Sequence, residues 1–185
     1  MQAKKKYRID PRVSIKRAID SGTFRFKDIF HGFEYLDAVK DTFGRKTNQV
    51  LDELKVEVFS QKGYMGVSDD DGHIFASKFY LNEGKYWSVY LDAVHELVHV
   101  RQFKEGRNLF DSAYSYADRP TEIEAYRVTV EEARRIGLDE QEIFAYLEVP
   151  WMAKAEHLRL AKACNVAQSI VPKEKSRPKS PGRKR

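Results

Sequence analysis

A single cysteine, Cys164, is all the thiol in the chain. It excludes an internal disulfide and a cysteine-rich metal site. Long apolar runs are missing too. None approaches the roughly 18 residues needed to span a bilayer. The opening residues, Met1-Gln2-Ala3-Lys4-Lys5-Lys6-Tyr7-Arg8, are charged with no apolar stretch behind them, so they do not read as a secretory leader. A cytoplasmic protein with no membrane segment is the expectation. There is no internal repeat. The acidic turn Ser68-Asp69-Asp70-Asp71-Gly72 lacks the spacing and distal glutamate of a calcium loop, so it reads as a turn.

What is present is enough for a folded core. The chain has 185 residues, of which 42% are hydrophobic and 12% aromatic, which suits one domain. The net charge is +5, but Pro172–Arg185 alone holds seven basic residues and one acid, so the rest is nearly neutral. That tail of Lys, Arg, Pro, Ser and Gly cannot bury a core. The expected organisation is a disordered basic N-terminus over 1–9, a single domain over 10–171 and a disordered basic tail over 172–185. The tail is either a solubilising end or a weak contact to nucleic acid or another polyanion.

The hydropathy period changes along the chain. Asp10-Pro11 predicts a helix to Asp20, closed by Ser21-Gly22. Helical spacing continues over 32–42 and 46–53. Leu54, Val56 and Val58 then alternate with polar residues, which predicts a strand. Tyr64–Val67 predicts a second strand, Asp71-Gly72 a turn, and His73–Tyr80 a third strand. With Asn82 as cap, a long helix is expected over 83–105, apolar on nearly all sides. Pro120 opens a helix to Ile136 that Gly137 ends. Asp139 and Glu142 form a capping box for a helix over 140–147, and Pro150 opens a last helix to Cys164. The fold class is α+β.

One polar stripe runs along the long apolar helix: Asp92, His95 with Glu96, His99 and Gln102. Within it lies His95-Glu96-Leu97-Val98-His99, the pattern HExxH. Histidines four apart sit one turn above each other, so one zinc ion can take both imidazoles. The glutamate between them is in reach of a metal-polarised water. The bland reading is a pair of core histidines bonded to backbone. It leaves the intervening glutamate without a use. A catalytic zinc site needs a third protein ligand, and the next helix offers Glu122 and Glu124. At about 100° per residue, Glu124 shares an arc with Arg127, Glu131, Arg134 and Arg135. Glu122 falls among Ala125, Tyr126, Thr129 and Ala133, the side available for packing. Glu122 is therefore the expected ligand and Glu124 the fallback. A three-histidine plan fails, because Gln102 and Glu105 stand where HExxHxxGxxH needs glycine and histidine. His31, His73 and His157 have no motif around them.

These residues resemble the gluzincin metallopeptidases. The resemblance rests on His95-Glu96-Leu97-Val98-His99-Val100-Arg101-Gln102 followed by Arg119-Pro120-Thr121-Glu122-Ile123-Glu124-Ala125, and covers about Val56 to Gly137. It implies a small zincin-like domain. A short antiparallel or mixed sheet would pack on the HExxH helix and a Glu-bearing helix, with extra N- and C-terminal helices. It implies zinc held by His95, His99 and Glu122, with Glu96 as general base in the hydrolysis of a peptide or protein substrate. Tyr114 or Tyr116 would serve as oxyanion helper, and strand His73–Tyr80 as the edge that pairs with substrate. Relatives often carry aspartate four residues after the ligand glutamate, where this chain has Tyr126. Asp92 or a backbone carbonyl is the expected substitute for orienting a histidine. The alternatives are a regulatory protein of this kind acting on one, DNA-associated, partner, and a non-catalytic metal-binding domain.

Overall fold

Alternating side chains build the main sheet of the computed structural model, which describes residues 7–166. In Lys55–Phe59 (β4), Val56 and Val58 are buried while Lys55 and Glu57 face out. Ile74–Ser77 (β6) buries Ile74 and Ala76 on the same side. The two strands pair in parallel, Val56 opposite Ile74 and Val58 opposite Ala76, which makes one apolar face. Gly22–Arg25 (β2) joins β4 and Met65–Val67 (β5) joins β6, both antiparallel, in the order β2-β4-β6-β5. The expectation that His73–Tyr80 forms an edge is therefore wrong. Ile74 and Ala76 are fully buried and occupy the interior, and β5, with half-buried Met65 and Gly66, takes the edge. Beyond Ser77 the chain turns into helix Lys78–Glu83 (α4).

The helix expected over 10–20 is absent. Asp10 does act as a cap, but of a turn: its Oδ1 accepts from Arg12 N at 2.9 Å, and its side chain also holds the Arg12 guanidinium. Val13 and Ile15 are buried with exposed Ser14 between them, a period of two. Ser14–Ile15 (β1) pairs with Phe30–His31 (β3) in a separate antiparallel ladder. Between β2 and β3 lies the single turn Phe26–Ile29 (α1). The helix expected over 32–42 is split at Leu36, whose ψ of 132° is extended. A 3₁₀ turn, Phe33–Tyr35, precedes it and Asp37–Phe43 (α2) follows. Thr47–Glu53 (α3) leads into β4.

The long helix is Tyr86–Lys104 (α5), three residues shorter at its start than expected. Asn82 does not cap it. Its amide is taken by the backbone of Ile19, accepting from N at 3.0 Å and donating to O at 2.9 Å. Helix α5 is buried around most of its circumference, packed on α2, β5 and Pro120–Ile136 (α6). Gly137 ends α6 in the left-handed conformation. Glu140–Tyr146 (α7) carries the expected Asp139–Glu142 capping box. The last helix is Lys154–Ala163 (α8), and Pro150 lies before it in an exposed turn. Phe26, Phe30 and Phe33 contact one another and, through Phe33, Tyr90 at the centre of the core.

Residues 7 and 8, expected in the loose basic start, are held in place. Arg8 N donates to Ile136 O at 2.8 Å, and the Tyr7 ring lies 5.8 Å from that of Trp87. The tail 172–185 lies outside the described residues. Among the described residues, no helix is long and apolar enough to cross a membrane.

Candidate metal centre

Helix α5 delivers His95 and His99 to one face, and the first turn of α6 delivers Glu122 against them. Their Nε2 atoms are 3.0 Å apart, and Glu122 Oε2 lies 3.3 Å and 3.4 Å from them. All three residues are buried. Four tetrahedral donors about 2.0–2.1 Å from one ion stand about 3.3 Å from each other. The three atoms have that spacing, and this buried group could hold a metal ion.

One orphaned atom argues for the fit: Glu122 Oε2 is fully buried with no hydrogen-bond partner. Two imidazole nitrogens and a carboxylate oxygen at these distances turn lone pairs on one another, and only a proton or a cation relieves that. Without a metal the proton goes to His99. Burial pulls its pKa down, but the adjacent Glu122 carboxylate outweighs burial and lifts it to about 9. Glu122 is held well below its ordinary value, against burial, by the two histidines.

The tautomer of His99 is set by Gln102. The amide Nε2 donates to Thr121 O at 3.0 Å and to Glu124 Oε2 at 2.8 Å. Oε1 must then face His99, where Nδ1–H donates to it at 2.7 Å. In the neutral imidazole, the form a metal takes, that leaves the Nε2 lone pair toward Glu122. Gln102 belonged to the polar stripe in the sequence, and its spacing of three from His99 was the signal for this role. Glu124, the fallback ligand, takes no part in the group; Arg101, Arg107 and Gln102 hold it.

Neither expected partner orients His95. Asp92 is engaged elsewhere: Tyr80 donates to its Oδ2, and Tyr146 to its Oδ1 at 2.6 Å. Burial raises the Asp92 carboxyl against the pull of those two phenols. Tyr126, where the resemblance expects aspartate, packs its ring against that of His95, with centroids 4.4 Å apart and planes inclined by 57°. The Tyr126 hydroxyl is 2.9 Å from that of Tyr116.

Glu96 projects beside the group into an open cavity of about 1000 Å³, which His95, His99 and Glu122 also line. Burial raises its carboxyl, and the charges of His95 and His99 oppose that rise. Tyr116 lines the cavity, whereas Tyr114 is not among its lining residues and is 46% exposed. One wall of the cavity is the edge strand β5. His157 is a buried core histidine bonded to Phe144 O at 2.8 Å. His73 pairs with Asp71 and Glu57 in a separate cleft, and His31 sits exposed on β3. Among the described residues, His95, His99 and Glu122 form the one cluster of metal-ligating side chains. No protein-family model, curated protein or solved structure matches the chain.

Proposed function

We propose that the protein is a zinc-dependent peptidase of the gluzincin kind. One observation carries this reading: three buried ligand atoms at metal-binding spacing share the floor of an open cavity with Glu96, which the same helix supplies. Two nitrogens and one carboxylate oxygen are donors that suit zinc, and the three residues that would hold it line the open cavity. When bound, the ion supplies a Lewis acid that polarises a water molecule and the scissile carbonyl.

The chain's own groups do the rest. His95 and His99 bind through Nε2 and Glu122 through Oε2. Gln102 keeps the His99 lone pair pointed at the site. Glu96 takes a proton from the attacking water and passes it to the leaving amine. The Tyr116 hydroxyl donates to the developing oxyanion. The free edge of β5 receives the main chain of an extended substrate by backbone hydrogen bonding.

Metal analysis combined with a peptide-library cleavage assay, with and without chelator, tests this. About one zinc per chain is expected. Glu96→Gln keeps the metal and loses cleavage by at least about a hundredfold. Glu122→Ala loses the metal. Unchanged zinc in Glu122→Ala removes that residue from the ligand set, and full turnover by Glu96→Gln overturns the hydrolytic role.

A further inference from the structure

Peptide hydrolysis as described gives Asp92 no role, yet its setting is unusual. It lies on α5 three residues before His95 and four before Glu96, so it is one turn toward the N terminus on the same face. A phenol donates to each of its oxygens, Tyr80 to Oδ2 and Tyr146 to Oδ1. The carboxylate form is the stronger acceptor for both donors. Among the described residues no lysine or arginine pairs with it. The one lysine lining the cavity, Lys85, is exposed and holds its ammonium 5.8 Å above the Trp87 ring. A part-buried carboxylate hydrogen-bonded by two phenols, with the His95 imidazole as the basic group that bears on it, has no permanently charged counter-ion.

Six aromatic rings close on that carboxylate. Tyr80 contacts Tyr64 at 5.6 Å, Tyr64 contacts Trp151 at 5.8 Å, and Trp151 contacts Tyr116 at 5.8 Å. Tyr116 contacts Tyr126 at 6.4 Å and Tyr126 contacts Tyr146 at 6.5 Å. The two ends of the run, Tyr80 and Tyr146, meet on Asp92. Each neighbouring pair is inclined by 63° to 81°. An edge contact covers at most one face of a ring, and a face left open to the cavity attracts cations; Tyr126 also packs on His95, at 4.4 Å. All six rings line the same cavity as the histidines, and five acids line it against the single Lys85. Tyr64 and Trp151, 49% and 58% exposed, stand at its mouth.

We propose that this aromatic cage, with Asp92 as counter-ion, is a subsite for a cationic group of the substrate, an ammonium or guanidinium held one helical turn from the metal centre. The proposal rests on the reading of the cavity as a peptide site. The cation is either a lysine or arginine side chain or the α-ammonium of the substrate.

Binding without turnover tests it. Both tryptophans of the chain, Trp87 and Trp151, line the cavity, so intrinsic fluorescence reports on occupancy. The full-length protein is titrated with N-acetyl-lysine methylamide, norleucine methylamide and the neutral N-acetyl-norleucine methylamide. A fourth probe is the trimethylated form of the lysine derivative, which has no lone pair to offer a metal. One or both ammonium probes are expected to bind at least about tenfold more tightly than the neutral one, and which of them does so identifies the source of the cation. If the lysine derivative is selected, its trimethylated form is selected too. Asp92→Asn is expected to abolish the preference. Tyr64→Leu, at an exposed position whose loss leaves the core intact, weakens it severalfold. Equal binding of the neutral and ammonium probes overturns the proposal, as does a preference that survives both substitutions. Cleavage with no charge preference leaves the peptidase reading standing without this subsite. Selective ammonium binding in a protein that cleaves nothing leaves the subsite standing without the peptidase.

Discussion

At Gln102 both ends of one amide are used, and each end constrains something different. Nε2 ties α5 to the start of α6 through Thr121 O, next to the candidate ligand Glu122. Oε1 accepts from His99 and so selects the nitrogen left for a metal. Gln102→Leu removes both. The expected result is a loss of metal affinity of about 10–100-fold, measured by competition with a chromophoric chelator. Gln102→Glu keeps an acceptor for His99 and is expected to recover part of that loss. Unchanged affinity in Gln102→Leu would mean that packing alone orients the imidazole. Gly32 is a different kind of single-residue constraint. Its φ is 78°, and a Cβ there would overlap the carbonyl of Arg12 in the neighbouring segment. At Gly44, φ is 56°, but nothing lies within 4 Å of the place a Cβ would take. Gly32→Ala is expected to cost about 3 kcal/mol or more and Gly44→Ala about 1 kcal/mol, by denaturant unfolding. Equal losses would show that the Arg12 segment yields without penalty.

Two helices, α5 and α6, make the centre, and they are joined at both ends. Gln102 bonds Thr121 and Glu124 at one end, and Tyr90 donates to Glu132 at the other. Because the late residue of α5 meets the early residue of α6, the helices run antiparallel. Glu132 is 2% exposed and also takes Arg135 Nε at 2.7 Å. Glu132→Ala would remove the acceptor of the Tyr90 hydroxyl and the partner of the part-exposed Arg135 guanidinium, which still donates to that hydroxyl, with an expected cost of about 2 kcal/mol. Tyr90→Phe, which leaves the Arg135 pair intact, should cost about 1 kcal/mol. If the two are equal in urea melts, the ion pair contributes nothing. Helix α6 was legible in the sequence from Pro120 to Gly137, because its stop signals are local and its two faces differ in polarity. The same asymmetry put Glu122 on the packed side and Glu124 outside. Residues 10–20 were not legible. Asp10-Pro11 is a genuine local signal, but it caps a turn, and the partner of β1 is Phe30–His31, far along the chain. Strand β2 carries no alternation, because its side chains are exposed or half-buried, with Phe24 alone packing on the core and pairing with β4 holding the rest. The seating of β6 between β4 and β5 likewise depends on pairing that no local pattern encodes. The aromatic cage draws on α4, α6, α7, the 3₁₀ turn Tyr116–Asp118 and two loops, around Asp92 of α5, so it has no contiguous signature.

Across the whole molecule, the cavity stands between parts distant in sequence: β5 on one wall, α5 as the floor, and the turn after α7 with the 3₁₀ turn Tyr116–Asp118 on the far side. The C-terminal helix α8 braces that 3₁₀ turn. Arg159 donates twice to Asp118, at 3.0 Å and 2.7 Å, and Ser115 donates at 2.7 Å. These bonds bring the Asp118 carboxyl down to about 2 from an ordinary 3.8. A folded value below the unfolded one means the brace is fully present above about 3.8 and is lost as the pH falls through about 2. Asp118→Asn cannot titrate. The melting temperature of the wild type should therefore exceed that of Asp118→Asn by a constant margin from pH 5 to 8. The margin should shrink between the unfolded and folded values given above. The pair is exposed, so 1 M salt should narrow the margin at every pH. A margin that does not change on acidification would assign the difference to the lost Ser115 bond rather than to charge. The brace would then hold Tyr116 in the cavity wall without responding to pH.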